Sequence, residues 1–316
     1  MLKYLVIQIS DDSPSFCHYA VPCYKEPRTM ALKELENALV FAMKENLSIQ
    51  IVLPNVEISQ EYWSLISEFD YIGIAGAHSH YADKAQVIVF NSVDEFNSCP
   101  IGTGVIAIIA IGSEDLCNIQ KLDPEKLNSF ERINFILKNV ECLTDIELEL
   151  YKSEIELLSE LLEKAYREHC STEINCLTDR VFLNKMNNCN AGIESISVLP
   201  NGKLYYCPAF YIDNPGNSIG TTTDGLNIHN SQLLNLNHSP ICRICDAYQC
   251  KRCIWLNQKL TGELNTPSRQ QCVLSHIERN QSRLLLNKLR EVAPKFNIDQ
   301  DIKEIEYLDP FELISR

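Results

Sequence analysis

The sequence predicts an α/β protein in which an N-terminal α/β domain is followed by a cysteine-rich C-terminal domain. Over the first 140 residues, continuous apolar runs of strand length alternate with helical stretches. After Cys170 the composition changes to Asn, Cys, Gly and Pro, and seven of the 14 cysteines lie in the 84 residues from Cys189 to Cys272. Buried parallel strands form unbroken apolar runs, so we expect a mostly parallel sheet covered on both faces. The pattern is compatible with an open sheet or a partial barrel.

The N-terminal elements follow from hydrophobic periodicity. A helix is predicted over Thr29–Glu45, because Leu32, Leu35, Leu39 and Ala42 form one apolar stripe at helical spacing. A second, short helix is predicted near Gln60–Phe69. Strands are predicted, in chain order, at Tyr4–Ile9, Ile49–Leu53, Tyr71–Ala75, Gln86–Phe90, Gly104–Ile111 and Ile133–Leu137.

A long helix is predicted over Thr144–His169. Its apolar residues recur at three- and four-residue spacing, at Leu148, Tyr151, Ile155, Leu158 and Leu162. We interpret it as a helix that packs along its domain or bridges to the next one. The alternative, a dimerising coiled coil, requires more heptads than this stretch contains.

The C-terminal region begins with a predicted hairpin and ends with a predicted helix. Strands at Ser195–Leu199 and Leu204–Tyr206 flank Pro200-Asn201-Gly202, which has strong turn chemistry. The helix runs from Thr266, with a proline in its first turn, to about Val292. The domain ranges are therefore 1–143 for the α/β domain, 144–175 for a connecting helix, 176–293 for the cysteine-rich domain with its helix, and 294–316 for an acidic tail.

Composition excludes several functional classes. The formal net charge is −14 and no segment concentrates Lys and Arg, which argues against nucleic-acid and anionic-membrane partners. The N-terminus lacks the features of a signal peptide, and no apolar stretch approaches the roughly 20 residues that span a bilayer. We therefore expect a cytoplasmic protein, and in a reducing compartment cysteine enrichment indicates metal or cluster ligation before disulfides.

The cysteine spacing favours iron–sulfur clusters. The order is Cys189-x12-Gly202-x4-Cys207, then a run of four (Cys242-x2-Cys245-x4-Cys250-x2-Cys253), then Cys272. Structural zinc sites also use C-x2-C pairs, but usually with a longer spacer, whereas tight four-cysteine runs are typical of iron–sulfur sites. Seven cysteines are one short of two fully ligated cubanes, so Cys170 or Cys176 supplies the eighth sulfur or one iron stays open.

This constellation resembles the SPASM domain of radical SAM peptide-modifying enzymes over all seven cysteines, with two spacers of the central run each shorter by one residue. "SISVLPNGKLYYCPAF" is similar to the hairpin that carries the second cysteine of that domain. The resemblance implies two auxiliary [4Fe-4S] clusters. It assigns Cys242, Cys245, Cys250 and Cys272 to the second cluster, and Cys189, Cys207 and Cys253 to three corners of the first. Leu183 stands where the family often has a further cysteine.

The motif that would cleave SAM is missing. Radical SAM enzymes carry C-x3-C-x2-C after the first strand, whereas "PSFCHYAVPCYKEPR" has only Cys17 and Cys23, with five residues between them, and "IVLPNVE" replaces the Gly-Gly-Glu segment. The N-terminal half, "YLVIQISDDSPSFCHYAVP" and "MALKELENALVFAMKENLSIQIVLP", resembles the CXXX repeat peptide maturase family. That resemblance implies a degenerate partial (β/α) barrel-like domain with no SAM site, and two partners: a cysteine-repeat precursor peptide and a separate radical SAM maturase.

The expected function is therefore maturation of a ribosomally synthesised cysteine-repeat (CXXX) peptide, by an iron–sulfur protein that acts with that radical SAM enzyme. Whether this chain is itself an enzyme stays open, and no catalytic residue is assigned. The alternative is a non-catalytic peptide-binding scaffold with a structural metal, either zinc or an inert cluster. An autonomous enzyme would need a third cluster at Cys17–Cys23.

Several other residues have weaker signals. Cys17, His18 and Cys23 follow a strand end, where α/β sites form, and have either a residual or a structural role. His78 and His80 are expected in a solvated loop. The remaining single cysteines, Cys99, Cys117 and Cys142, are expected to pack as small hydrophobic side chains.

Overall fold

The computed structural model describes residues 2–100, 105–298 and 301–302. The described strands are β1 Tyr4–Gln8, β2 Ser48–Val52, β3 Tyr71–Gly76, β4 Val87–Phe90, β5 Val105–Ile111, β6 Phe130–Leu137, β7 Glu173–Ile174, β8 Ser195–Val198, β9 Lys203–Tyr205, β10 Gly220–Thr221 and β11 Gly225–Leu226. The described α-helices are α1 Leu32–Lys44, α2 Gln60–Ile66, α3 Val93–Ser98, α4 Pro124–Leu127, α5 Asp145–Arg167, α6 Asn175–Phe182, α7 Pro208–Asp213, α8 Ile254–Thr261 and α9 Arg269–Leu289. Short 3-10 helices lie at Ala82–Lys84, Ser113–Lys121, Val140–Cys142, Ser231–Leu234, Leu236–His238, Cys242–Ile244 and Pro294–Phe296. The α/β class is confirmed.

The chain forms two compact units, and each is built from two separate segments. Unit 1 comprises Met1–Val89 and Asn190–Asn235. Unit 2 comprises Phe90–Cys189 and Leu236–Arg316. These units follow spatial contacts, whereas the ranges predicted from the sequence follow composition along the chain.

Unit 1 contains a sheet with the strand order β11-β10-β9-β8-β1-β2-β3-β4. Strands β8, β1, β2, β3 and β4 pair in parallel, and β8 to β11 pair antiparallel. β1 is central, since Leu5 pairs with Ile49 on one side and with Ile196 on the other. The predicted hairpin is confirmed as β8 and β9, and its first strand joins the N-terminal strands in one sheet.

Helix α1 covers this sheet with the predicted apolar stripe. Leu35, Leu39 and Ala42 are fully buried, together with Ala38, because these positions face the same side of a 3.6-residue helix. Leu32 is half-buried at the first position of the helix. The prediction of this helix is therefore confirmed.

Unit 2 contains the parallel strands β5, β6 and β7 and three packed helices. Helix α5 begins at a capping box, in which Thr144 and Glu147 each accept a hydrogen bond from the backbone of the other. Its five predicted apolar residues are all buried. The helix packs against α9, and α6 also packs against α9. Packing within one unit is the arrangement that buries this stripe.

The cysteine-rich region is more helical than the sequence predicts, since α6, α7 and α8 all fall within it. Helix α9 begins at Arg269, three residues after the predicted start. The cause is Ser268, whose hydroxyl accepts a hydrogen bond from the Gln271 N–H at 3.2 Å and caps the helix. Pro267 therefore precedes the cap. Gly104, the predicted start of the fifth strand, and most of the 294–316 tail lie outside the described residues. Among the helices described, none has the length and apolar character required to span a membrane.

Candidate metal centre

Four of the seven predicted ligands line one cavity in unit 2. Its lining includes Cys242, Cys245, Cys250 and Cys272, and its empty volume, which includes space open to solvent, is about 390 Å³. The other lining residues are Met186, Ile241, Arg252, Pro267, Gln271, Ser275 and His276. The structure thus brings together the set of cysteines that the resemblance assigns to one cluster.

Local structure explains how the four sulfurs reach the cavity. Cys242 begins a 3-10 helix that ends before Cys245, and Cys272 lies near the N-terminus of α9. The backbone N–H of Ala247 donates to the Cys245 sulfur at 3.4 Å, and the N–H of Arg252 donates to the Cys250 sulfur at 3.5 Å. An amide that donates to a sulfur favours the thiolate, which is the form that binds metals.

Burial governs the protonation of these thiols. It raises the pKa of Cys242 to about 12 and of Cys245 to about 11, and the neighbouring thiols contribute to the rise at Cys242. Burial, followed by the other three thiols, also raises the pKa of Cys272, and burial raises that of Cys250. A cationic group in the cavity would reverse this preference, because metal binding displaces the thiol protons.

The four cysteines line the cavity. In the described part of the chain, no three His, Cys, Asp or Glu side chains are grouped so that they could hold a metal ion. A group that touched all four cysteines would need to occupy the cavity between them. Four cysteines are the usual ligand set of a [4Fe-4S] cluster, and the donor chemistry therefore fits such a cluster.

His276 contacts one of these sulfurs. It lies four residues after Cys272 in α9, so both side chains project from the same face of the helix. Its Nε2 is 3.6 Å from the sulfur of Cys245, and its Nδ1 is buried without a hydrogen-bond partner in the described structure. Burial lowers the pKa of His276 to about 4, which leaves the ring neutral at neutral pH.

A buried guanidinium lies beside the same cysteines. Arg252 is 1% exposed; its Nε donates to the Ser239 hydroxyl at 2.8 Å and its Nη2 donates to Asn265 Oδ1 at 2.5 Å. Burial lowers the pKa of Arg252, whereas nearby Cys242 and Cys250 raise it. The positive charge of Arg252 therefore lies near enough to these cysteines to offset negative charge on them.

Buried ion pairs anchor the loop that carries the cysteines. Asp246, adjacent to Cys245, accepts a hydrogen bond from Arg279 Nη1 at 2.5 Å and lies 3.8 Å from Arg180 Nη2. The guanidinium of Arg180 also lies 4.3 Å from the ring centroid of Tyr248. The loop is therefore joined to α6 and α9 by charge as well as by packing.

A second carboxyl near this loop belongs to Glu278, which is half-buried. Glu278 accepts hydrogen bonds from Tyr151 Oη at 2.8 Å and from Gln249 Nε2 at 3.2 Å. The same Gln249 amide also donates to the backbone oxygen of Ser275 at 2.6 Å. Burial raises the pKa of Glu278 to about 7, although both hydrogen bonds oppose the rise.

The other three predicted ligands do not line this cavity. Cys253 occupies the position before α8, and burial raises its pKa to about 12, with Cys189 as a nearby thiol. Cys189 is exposed, and its backbone N–H donates to the Lys251 oxygen at 2.9 Å. Cys207 belongs to unit 1, where it precedes α7. Neither candidate for the eighth sulfur, Cys170 or Cys176, lines the cavity, although both are buried.

The region after β1 in unit 1 contains two buried polar side chains, those of Tyr19 and Asp11. The Tyr19 hydroxyl is buried, and burial, followed by Cys17 and Cys207, raises its pKa, whereas hydrogen bonds with Phe16 and Ser15 oppose the rise. Asp11 accepts hydrogen bonds from the Tyr211 hydroxyl at 2.9 Å and from the backbone N–H of Arg28. His18 is half-buried and Cys23 is exposed.

Among the remaining candidates, His78 and His80 are exposed, as a solvated loop requires. Cys99 is buried, but the prediction that Cys117 and Cys142 are core residues is wrong, since both are exposed. Both cysteines lie in 3-10 helices. The three-residue period of such a helix differs from the α-helical one, so an apolar context in the sequence does not place these side chains on a buried face. His276 is not predicted from the sequence, although its four-residue spacing from Cys272 could have indicated it.

Comparison with known proteins assigns no family. No protein-family model matches this chain, and no curated protein matches it. The resemblance to the CXXX repeat peptide maturase and SPASM families therefore stays a prediction.

Proposed function

We propose that this protein acts in the maturation of a ribosomally synthesised cysteine-repeat peptide, as an iron–sulfur protein that works with a separate radical SAM enzyme. In this proposal unit 2 carries a SPASM-type cluster site, and the N-terminal strands are a degenerate radical-SAM-like domain with no SAM site. The observation that carries the proposal is the cavity lined by Cys242, Cys245, Cys250 and Cys272.

The residues around the cavity support a cluster that passes electrons. A [4Fe-4S] cluster, when bound, supplies reversible one-electron transfer. The four cysteines would ligate every iron, so a substrate thiolate would have no open position at this site. Arg252 would offset the negative charge of the thiolates, and the backbone amides of Ala247 and Arg252 would hold two of the sulfurs.

A position for the substrate thiolate is left to Cys189 and Cys253, which both belong to unit 2. Cys189 contributes to the raised pKa of Cys253, after burial. A cluster that the protein ligates incompletely at these cysteines would keep one iron open for a cysteine of the peptide. This division assigns electron relay to one site and peptide binding to the other.

Metal analysis tests the proposal. The protein is purified without oxygen, reconstituted with iron and sulfide, and assayed for iron, sulfide and zinc together with its electron paramagnetic resonance spectrum. We expect about seven to eight irons per chain and cubane signals on reduction. Cys272→Ser should lose about half of the iron, whereas Cys117→Ser, at an exposed cysteine outside the cavity, should lose none.

Peptide binding provides the second test. A fluorescent peptide with repeated Cys-x-x-x units should bind the reconstituted protein, and the same peptide with serine in place of cysteine should bind more weakly. One or two zincs per chain with no labile sulfide would refute the cluster proposal. Binding of both peptides by such a zinc protein would instead support the non-catalytic scaffold.

A further inference from the structure

We propose that His276 donates an Nε2–H hydrogen bond to the sulfur of Cys245 in the cluster-bound protein and thereby raises the reduction potential of that cluster. This inference rests on the proposed cluster site and assigns a role to a residue that is not one of its ligands. His276 is a positioning and tuning residue, because it acts through Cys245.

The geometry already provides the contact. The distance of 3.6 Å between His276 Nε2 and Cys245 Sγ is within hydrogen-bonding range for sulfur, and the ring is 1% exposed. Cys272 is on the same helix one turn earlier, so α9 supplies one ligand and positions the ring against another. The Ala247 N–H reaches the same sulfur at 3.4 Å, so Cys245 would accept two hydrogen bonds.

Ligation determines which ring nitrogen carries the proton. A free thiol is able to donate to Nε2 or to accept from it, but a cluster-bound thiolate only accepts. The ring therefore meets the ligated sulfur with Nε2–H, while Nδ1 is buried without a hydrogen-bond partner in the described structure.

The hydrogen bond stabilises the reduced cluster more than the oxidised one. Reduction adds one electron, and part of the added negative charge resides on the ligating sulfurs, where an N–H donor strengthens its interaction. No covalent bond forms or breaks in this step, and the electron comes from the titrant in the experiment below. Charged groups near the ring include Arg279 and Asp246, which pair with each other.

Redox titration of the reconstituted protein tests the role. His276→Leu removes the donor, and His276→Gln keeps an N–H group on a side chain of similar reach. His80→Leu is the matched control, since it removes an exposed histidine that does not line the cavity. We expect His276→Leu to lower the equilibrium constant for reduction about tenfold, which is about 59 mV for a one-electron couple. His276→Gln should recover part of the shift, and His80→Leu should show none.

A second measurement tests the inference if the His276→Leu variant fails to retain the cluster. Pulsed electron paramagnetic resonance of the reduced wild-type protein, labelled with 15N only at histidine, should detect coupling from one imidazole nitrogen. Absence of that coupling, or equal potentials for wild type and His276→Leu at equal iron content, would overturn the inference and leave the proposed function intact. A wild-type protein without iron would overturn both proposals.

Discussion

Asp246 lies between two buried arginines, and its replacement by alanine tests how the cysteine loop is held. The side chain of Arg279 is fully buried and that of Arg180 is 4% exposed, whereas that of Asp246 is 22% exposed. Asp246→Ala leaves both guanidinium groups without this carboxylate. Removal of one member of a buried ion pair costs about 3 to 5 kcal/mol, because the remaining charge is uncompensated. Since Asp246 is partly exposed, we expect a loss of about 3 kcal/mol in the free energy of unfolding.

Urea denaturation followed by circular dichroism measures this loss. The matched control is Asp145→Ala, which removes an ion pair with Arg269 of 2.7 Å whose side chains are 77% and 49% exposed. Exposed pairs contribute less than about 1 kcal/mol, so this control should change stability little. Asp246→Asn keeps the side-chain shape and should cost less than alanine. A loss below about 1 kcal/mol for Asp246→Ala, equal to that of the control, would refute the reasoning.

Three further predictions concern single residues. Burial raises the pKa of Glu278 from 4.5 to about 7, so its contribution to the free energy of unfolding is present at low pH and is lost as the pH rises through about 7. The loss is worth about 3 kcal/mol. Glu278→Gln should remove it, and measurements of the free energy of unfolding at several pH values check this. Thr144→Ala should lower the free energy of unfolding by about 1 kcal/mol in urea denaturation, since it removes the capping box of α5. Gly202→Ala should lower the melting temperature and cost about 1 kcal/mol or more, because the residue has φ +75° and the added Cβ would lie 2.5 Å from the Glu34 carboxylate.

Each of these has a control within the chain. Parallel pH profiles for wild type and Glu278→Gln would contradict the assignment of that titration. Thr144→Ser retains the cap and should be neutral, so an equal loss for serine and alanine would argue against capping. Gly262→Ala has a similar φ of +76° with no atom near the added Cβ. If Gly202→Ala costs less than Gly262→Ala, the crowding argument fails.

Much of the fold is predictable because local rules decide it. The stripe of Leu35, Leu39 and Ala42 predicts α1, and the turn chemistry of Pro200-Asn201-Gly202 predicts the β8–β9 hairpin. The pairing of β8 with β1 is a different case. It joins residues separated by about 190 positions, and nothing in either apolar run specifies the partner.

The short helices α6, α7 and α8 are not predicted from the sequence, for a different reason. Each has at most eight residues, which is too few for a clear apolar period, and tertiary packing stabilises helices of that length. At the site, the resemblance to the SPASM domain groups Cys272 with three cysteines of the central run, and these four line one cavity. Neither the resemblance nor the cysteine spacing gives a signal for Arg252 or Asp246, since the contacts of both residues depend on how the chain packs around the loop.

The two-segment construction of unit 1 has a consequence during synthesis. β1 acquires its partner β2 early, but the other neighbour, β8, begins at Ser195, about a hundred residues after the first segment of the unit ends at Val89. At a translation rate of about 5 to 20 residues per second, one edge of β1 stays unpaired for about 5 to 20 s after that first segment is complete. Leu5 and Ile7, both fully buried in the finished sheet, lie on that open strand. An exposed apolar edge of this kind is a site of aberrant strand pairing, so the nascent chain is most vulnerable to aggregation before the hairpin emerges from the ribosome.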